Sequence, residues 1–243
     1  MLAIFLKEFN SFFSSAIGFV VAGLFLLATG VLVWVLPGSF NIFDQGYANL
    51  TPFFEVLPWI FCVLIPAICM RSFSEEKKQG TLELLLTKPI SINQLIAGKF
   101  LGSFSLSVIA LLPTLFYIIS ISALSAEGVQ VDYGVIFSSY VGVFLLMSCF
   151  TSIGTFASCL TDNSLIAFVI GTFLSVLLYF GSVGVSSIPL WDSQLYTLEY
   201  FSLSHHFQSI SRGILDSRNL IYFISISLFF LVLTHLQLKS NLK

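Results

Sequence analysis

Six long apolar runs, separated by shorter polar intervals, set the plan of this chain. Residues 16–36 carry no charge, and at about 1.5 Å per residue they cross a hydrocarbon core of roughly 30 Å. Pro37 and Gly38 close that run, and runs at 53–70, 100–124, 134–160, 164–187 and 220–238 follow. The pattern predicts an all-α polytopic membrane protein, a single six-span domain over 1–243 with no fixed-period repeat. The second run holds Glu55, Pro58 and Pro66, which predicts a short or kinked span. Glu55 sits near its outer end, either as an interfacial carboxylate or as a functional one inside the membrane. The third run contains Pro113, and the fifth contains Gly171, Gly181 and Gly184, which suit close helix approach. Ahead of the first run, Leu2, Phe5, Leu6, Phe9, Phe12 and Phe13 recur at helical spacing, with Lys7, Asn10, Ser11 and Ser14 opposite. This predicts an amphipathic helix over 2–14 lying at the membrane interface, the alternative being an extension of the first span.

Composition agrees with the pattern. The chain is 57% hydrophobic and 9% charged, against about 25% charged in soluble domains. Its net charge of -2 gives no basic surface for nucleic acid, and its Phe residues lie mostly inside apolar runs. The first run is too long for a signal peptide and lacks a small-residue cleavage site, so it is expected to be retained. Charge sets the orientation. Lys7, Arg71, Lys77, Lys78, Lys88, Lys99, Lys239 and Lys243 fall in segments that the positive-inside rule places in the cytoplasm, with both termini. Arg212 and Arg218 fall outside, in a segment 188–219 whose aromatic and polar mixture suits short interfacial helices.

The interval 71–99 holds half of the Lys and Arg residues, and its grammar is specific. Gly80 is a poor helix former, Thr81 a plausible N-cap, Glu83 suits a first turn, and Pro89 forbids continuation just before it. A short isolated helix over Leu82 to Thr87 is predicted. Ser91 and Gln94 then form a capping box that opens the next long helix, with Lys99 expected near the lipid boundary. A short helix hung between two spans is a lever for a cytoplasmic partner. The run Glu75, Glu76, Lys77, Lys78 has a plainer alternative as a solvated helix end.

Catalytic chemistry finds no convergent cluster, since the ionisable groups lie at span ends and loops. Gly98-Lys99 fails the phosphate-loop pattern because Asn93 and Phe100 stand at its required Gly and Ser/Thr positions. No catalytic residue, metal or cofactor is expected on this chain. Cys62, Cys69, Cys149 and Cys159 fit inert core positions. His205 and His206 are adjacent, so they diverge by about 100° on a helix and suit one metal poorly. His235 fits an interfacial or hydrogen-bonded histidine.

Four stretches carry a family resemblance: LKEFNSFFSSAIGFVV, IPAICMRSFSEEKKQGTLELLLTKPIS, AGKF, and HHFQSISRGILDSRNLIYFISISLFFLVLTHLQL. Together they resemble the permease subunits of ATP-binding-cassette exporters of the second class, most of all the gliding-motility-associated permeases of Bacteroidetes. The resemblance implies a multi-pass protein of the bacterial inner membrane, partnered by a separate cytoplasmic ATPase that binds the ATP. It also implies pairing as a homodimer or with a related permease, in contact with membrane lipid. The coupling helix would be Thr81 to Thr87, comprising Thr81, Leu82, Glu83, Leu84, Leu85 and Thr87, with Glu75, Glu76 and Gly80 shaping its approach. A non-transporting scaffold and a permease for copper-enzyme maturation are the alternatives.

Overall fold

Each apolar run becomes a helix, and the helix ends fall where proline, glycine or polar clusters interrupt the pattern. The structure, a computed structural model, describes residues 1–14, 16–46, 49–86, 91–125, 131–186 and 202–240. Its α-helices are α1 (Leu2–Ser14), α2 (Ala16–Gly30), α3 (Thr51–Cys69), α4 (Ser74–Lys78), α5 (Thr81–Leu86) and α6 (Ile92–Leu111). They continue as α7 (Phe116–Leu124), α8 (Tyr133–Leu160), α9 (Ser164–Ser186), α10 (Leu203–Ser211) and α11 (Ser217–Ser240). Six helical stretches are long and apolar enough to cross a membrane.

The breaks have local causes. Pro113 lacks an N–H, and the third span tightens there into a 3₁₀ turn over Leu112–Leu115 before resuming as α7. Of the two expectations for the second span, short or kinked, the first is corrected: α3 runs 19 residues, with both Pro58 and Pro66 inside it. The first span ends in a π turn over Val31–Val35, which the sequence did not announce.

Helix α8 is the central element, packing against α3, α6, α9, α10 and α11. Its buried hydroxyls need partners that no water supplies, and the helix provides them. Thr151 donates to the Met147 carbonyl at 2.7 Å, Ser152 to Cys149 at 2.7 Å, and Thr155 to Thr151 at 2.9 Å. Where α3, α8 and α9 meet, a Cβ at Gly154 would lie 2.7 Å from Cys69 Cβ, and one at Gly171 3.1 Å from Pro66 Cβ. Gly171 therefore makes the close approach expected of it. Among the described residues only Leu177, of the same helix, comes within 4 Å of a Cβ at Gly181; the surroundings of Gly184 lie outside the described residues. All four cysteines are free and buried.

Within the segment 188–219, of which 202–219 lie among the described residues, the helix α10 is packed into the bundle. Leu203, Phe207 and Ile210 of α10 are buried, and Gly142 of α8 opens the space for Ile210. At the opposite end of the bundle, Ile4, Phe73, Leu82, Leu95, Ile96, Cys159 and Leu238 form a second cluster. Helix α1, the α4–α5 hairpin and the end of α11 thus share one end, called here the near end.

Candidate functional site

The near end is organised around one lysine. Lys99 lies in the second turn of α6, where the sequence placed it near the lipid boundary. Beyond that reading, its side chain is buried within the protein, only 1% exposed. Three oxygens surround its ammonium, which has three protons to give: Glu8 Oε1 at 2.7 Å, Glu76 Oε2 at 2.9 Å and the Ser72 carbonyl at 2.5 Å. The ring of Phe73 lies 5.1 Å from the nitrogen. Lys7 closes the group from outside, donating to Glu76 Oε1 at 3.0 Å. Two cations therefore balance two carboxylates, which is the condition for keeping such charges out of water.

Three elements meet at this junction, and each is brought there by packing. Helix α1 reaches α6 through Ile4 and Glu8, one turn apart, which seat over Gly98 and Gly102. A Cβ at Gly102 would stand 2.7 Å from Glu8 Cβ, and one at Gly98 2.9 Å from Ile4 Cβ. The pair is a G-x-x-x-G spacing that lets two backbones approach. The apolar stripe of α1 is docked only in part: Leu2 and Leu6 stay exposed, while Phe5, Phe9, Phe12 and Phe13 are half-buried. The capping box that starts α6 is present, with Gln94 N donating to Ser91 Oγ.

The α3–α4 turn is held by α8. Ser158 Oγ accepts from the N–H groups of Phe73 and Ser74 at 2.9 and 3.1 Å, and donates to the Met70 carbonyl at 3.0 Å. It supplies from a neighbouring helix the side-chain cap that Phe73, at the start of α4, cannot give. Lys77 donates to the Cys159 carbonyl. Ser158→Ala is expected to cost about 1–3 kcal/mol by orphaning two buried N–H groups. Faster amide exchange at Phe73 and Ser74 would register it.

The sequence-predicted residues distribute as follows. Glu75 to Lys78 form part of a separate helix, α4, rather than a solvated helix end, and Glu76 within it is buried while Glu75 and Lys78 are exposed. Gly80 has φ of +68°, a left-handed turn suited to glycine that swings the chain into α5. Thr81 is corrected: it lies inside α5, and its hydroxyl donates back to the Glu76 carbonyl at 3.3 Å instead of capping. Leu82 is buried, Glu83 exposed and Leu85 half-buried. The side chain of Leu84, and all of Thr87, lie outside the described residues. Sequence reading missed Glu8, Ser72, Ser158 and the pair Gly98 and Gly102. The signal available was a carboxylate on α1 and a lysine embedded in G-x-x-x-G.

The histidines are engaged structurally. His206 Nδ1 lies 2.7 Å from Asn219 Oδ1, and its ring stacks on Tyr222 at 4.0 Å. His235 Nδ1 is 2.7 Å from Asn93 Oδ1, joining α11 to α6. Among the described residues no three His, Cys, Asp or Glu side chains are grouped to hold a metal ion.

The described residues thus give six long apolar helices with a charged hairpin rooted at one end. A sequence model described as "ABC-2 family transporter protein" matches residues 2–236, nearly the entire chain. The chain belongs to the ABC-2 family. No curated protein matches it. This ABC-2 permease is a multi-pass membrane protein, and permeases of the family work with an ABC ATPase subunit. The membrane component typically lacks ATPase activity of its own.

Proposed function

We propose that the near end is the cytoplasmic face of an export permease, and that α4 and α5 dock the ATPase. The coupling segment is Glu75, Glu76, Gly80, Thr81, Leu82, Glu83, Leu84, Leu85 and Thr87. Charge supports the orientation: Lys7, Arg71, Lys77, Lys78, Lys99 and Lys239 gather at this end, as the positive-inside rule asks of a cytoplasmic surface. Both termini are then cytoplasmic.

The observation that carries the reading is the double ion pair of Lys99. A helix that only touched a partner would need no buried root. Here Glu76, four residues from the Gly80 turn, grips α6 through Lys99, and through Lys7 it grips α1. Movement of the hairpin therefore reaches a span and the N-terminal helix together. ATP binding would close the ATPase pair, shift the docked hairpin and rock six spans against a second copy or a related permease. The overall resemblance supports a finer reading, a gliding-motility-associated exporter in the bacterial inner membrane.

The test is co-purification from native membranes, with mass spectrometry of what accompanies the tagged full chain. Leu85→Glu, and Leu84→Glu beside it, place a charge on a helix that stays outside the bilayer. The expected result is an ABC ATPase with wild type and about tenfold less with the variants, a loss near 1.4 kcal/mol. Equal recovery with the variants would remove the coupling assignment. No ATPase in any sample would favour a scaffold.

A further inference from the structure

At the far end, α3, α9 and α10 enclose a cavity of about 510 Å³ with an ordered gradient of chemistry. Thr51, Glu55 and Trp59 recur every four residues on α3, so they descend one helix face in steps of about 6 Å. Glu55 and Arg212 both line the cavity, and both are exposed. Among the described residues neither forms an ion pair with the other or with any other group. Below them the wall is aromatic and continuous: Trp59 to Phe180 at 4.0 Å, Tyr179 to Phe180 at 4.6 Å, Tyr179 to Phe207 at 6.3 Å. Arg212 is held in register, since its N–H donates to Gln208 and Ser139 Oγ donates to the preceding carbonyl of Ser211.

We propose that this cavity binds a zwitterionic amphiphile, an ammonium beside Glu55, an anionic group on Arg212, and hydrocarbon against the aromatic wall. A purely anionic ligand would set its charge against Glu55, and a purely cationic one against Arg212. An ammonium answers both the carboxylate and the aromatic faces, while a guanidinium fork suits a phosphate or carboxylate. The depth order argues for an amphiphile over a soluble zwitterion, because the wall below the charged rim is largely apolar. The cavity lies at the opposite end from the α4–α5 hairpin, and the inference stands whether or not an ATPase docks there.

Native mass spectrometry of the full-length protein in detergent tests it, with phosphatidylethanolamine, phosphatidylglycerol and the soluble headgroup glycerophosphoethanolamine as probes. Wild type is expected to retain phosphatidylethanolamine about fivefold to tenfold better than phosphatidylglycerol, the scale of one exposed ion pair with a cation–π contact. Glu55→Gln should erase that preference, and Arg212→Gln should weaken both lipids. Arg218→Gln, outside the cavity, should change nothing. Equal retention by wild type, or a preference that survives Glu55→Gln, would overturn the site. Competition by the soluble headgroup at equal concentration would overturn the amphiphile.

Discussion

Lys99→Met is expected to destabilise the protein by about 3–5 kcal/mol, because it leaves two largely buried carboxylates with only the exposed Lys7 beside one of them. Glu8 and Glu76 are only 13% and 12% exposed, so water can screen little of that repulsion. The Lys7 contact cannot compensate, since Lys7 is 60% exposed and such a pair is worth at most about 1 kcal/mol. Denaturant unfolding in detergent micelles measures the loss. The diagnostic comparison is Lys99→Met combined with Glu8→Gln and Glu76→Gln, which should recover most of it by removing the stranded charges. A single-variant loss below about 1 kcal/mol would mean that the junction is hydrated and carries no force.

Gly102→Leu comes second in size and acts on the same junction from the other side. A Cβ at this position already meets Glu8 Cβ at 2.7 Å, and three further carbons leave α1 no docked position. Overpacking alone costs about 1–3 kcal/mol, and lifting α1 also withdraws Glu8 from Lys99. Amide exchange along α1 should accelerate about 100-fold, since that helix opens as a unit. Gly23→Leu is the control, because nothing lies within 4 Å of its Cβ position. Unchanged exchange in α1 with Gly102→Leu would show that the helix docks elsewhere.

Periodicity made the long elements legible. The presence of six long apolar helices and the Ser91 to Gln94 capping box follow from patterns that depend on neighbours in the chain. The junction depends on neighbours in space. The partners of Lys99 were not legible because its two carboxylates sit 91 and 23 residues away, and no local rule pairs them. Thr81 looked like a cap because it follows a glycine, yet the left-handed turn at Gly80 brings the Glu76 carbonyl within its reach. Ser158 was one hydroxyl among many in α8, and only the packing of α3 against it distinguishes it. The amphipathic stripe of α1 was read correctly as a pattern, but its docked face is set by Gly98 and Gly102 on another helix.

The distance along the chain between Glu8 and Lys99 also has a consequence for biosynthesis. Helix α1 leaves the ribosome first, and its partner follows 91 residues later. At about 5–20 residues per second, that interval lasts roughly 5–18 seconds. Throughout it Glu8 has no Lys99 to pair with. The α1–α6 ion pair can therefore form only after the start of the third span has been synthesised, so this junction closes late in the making of the first half of the chain.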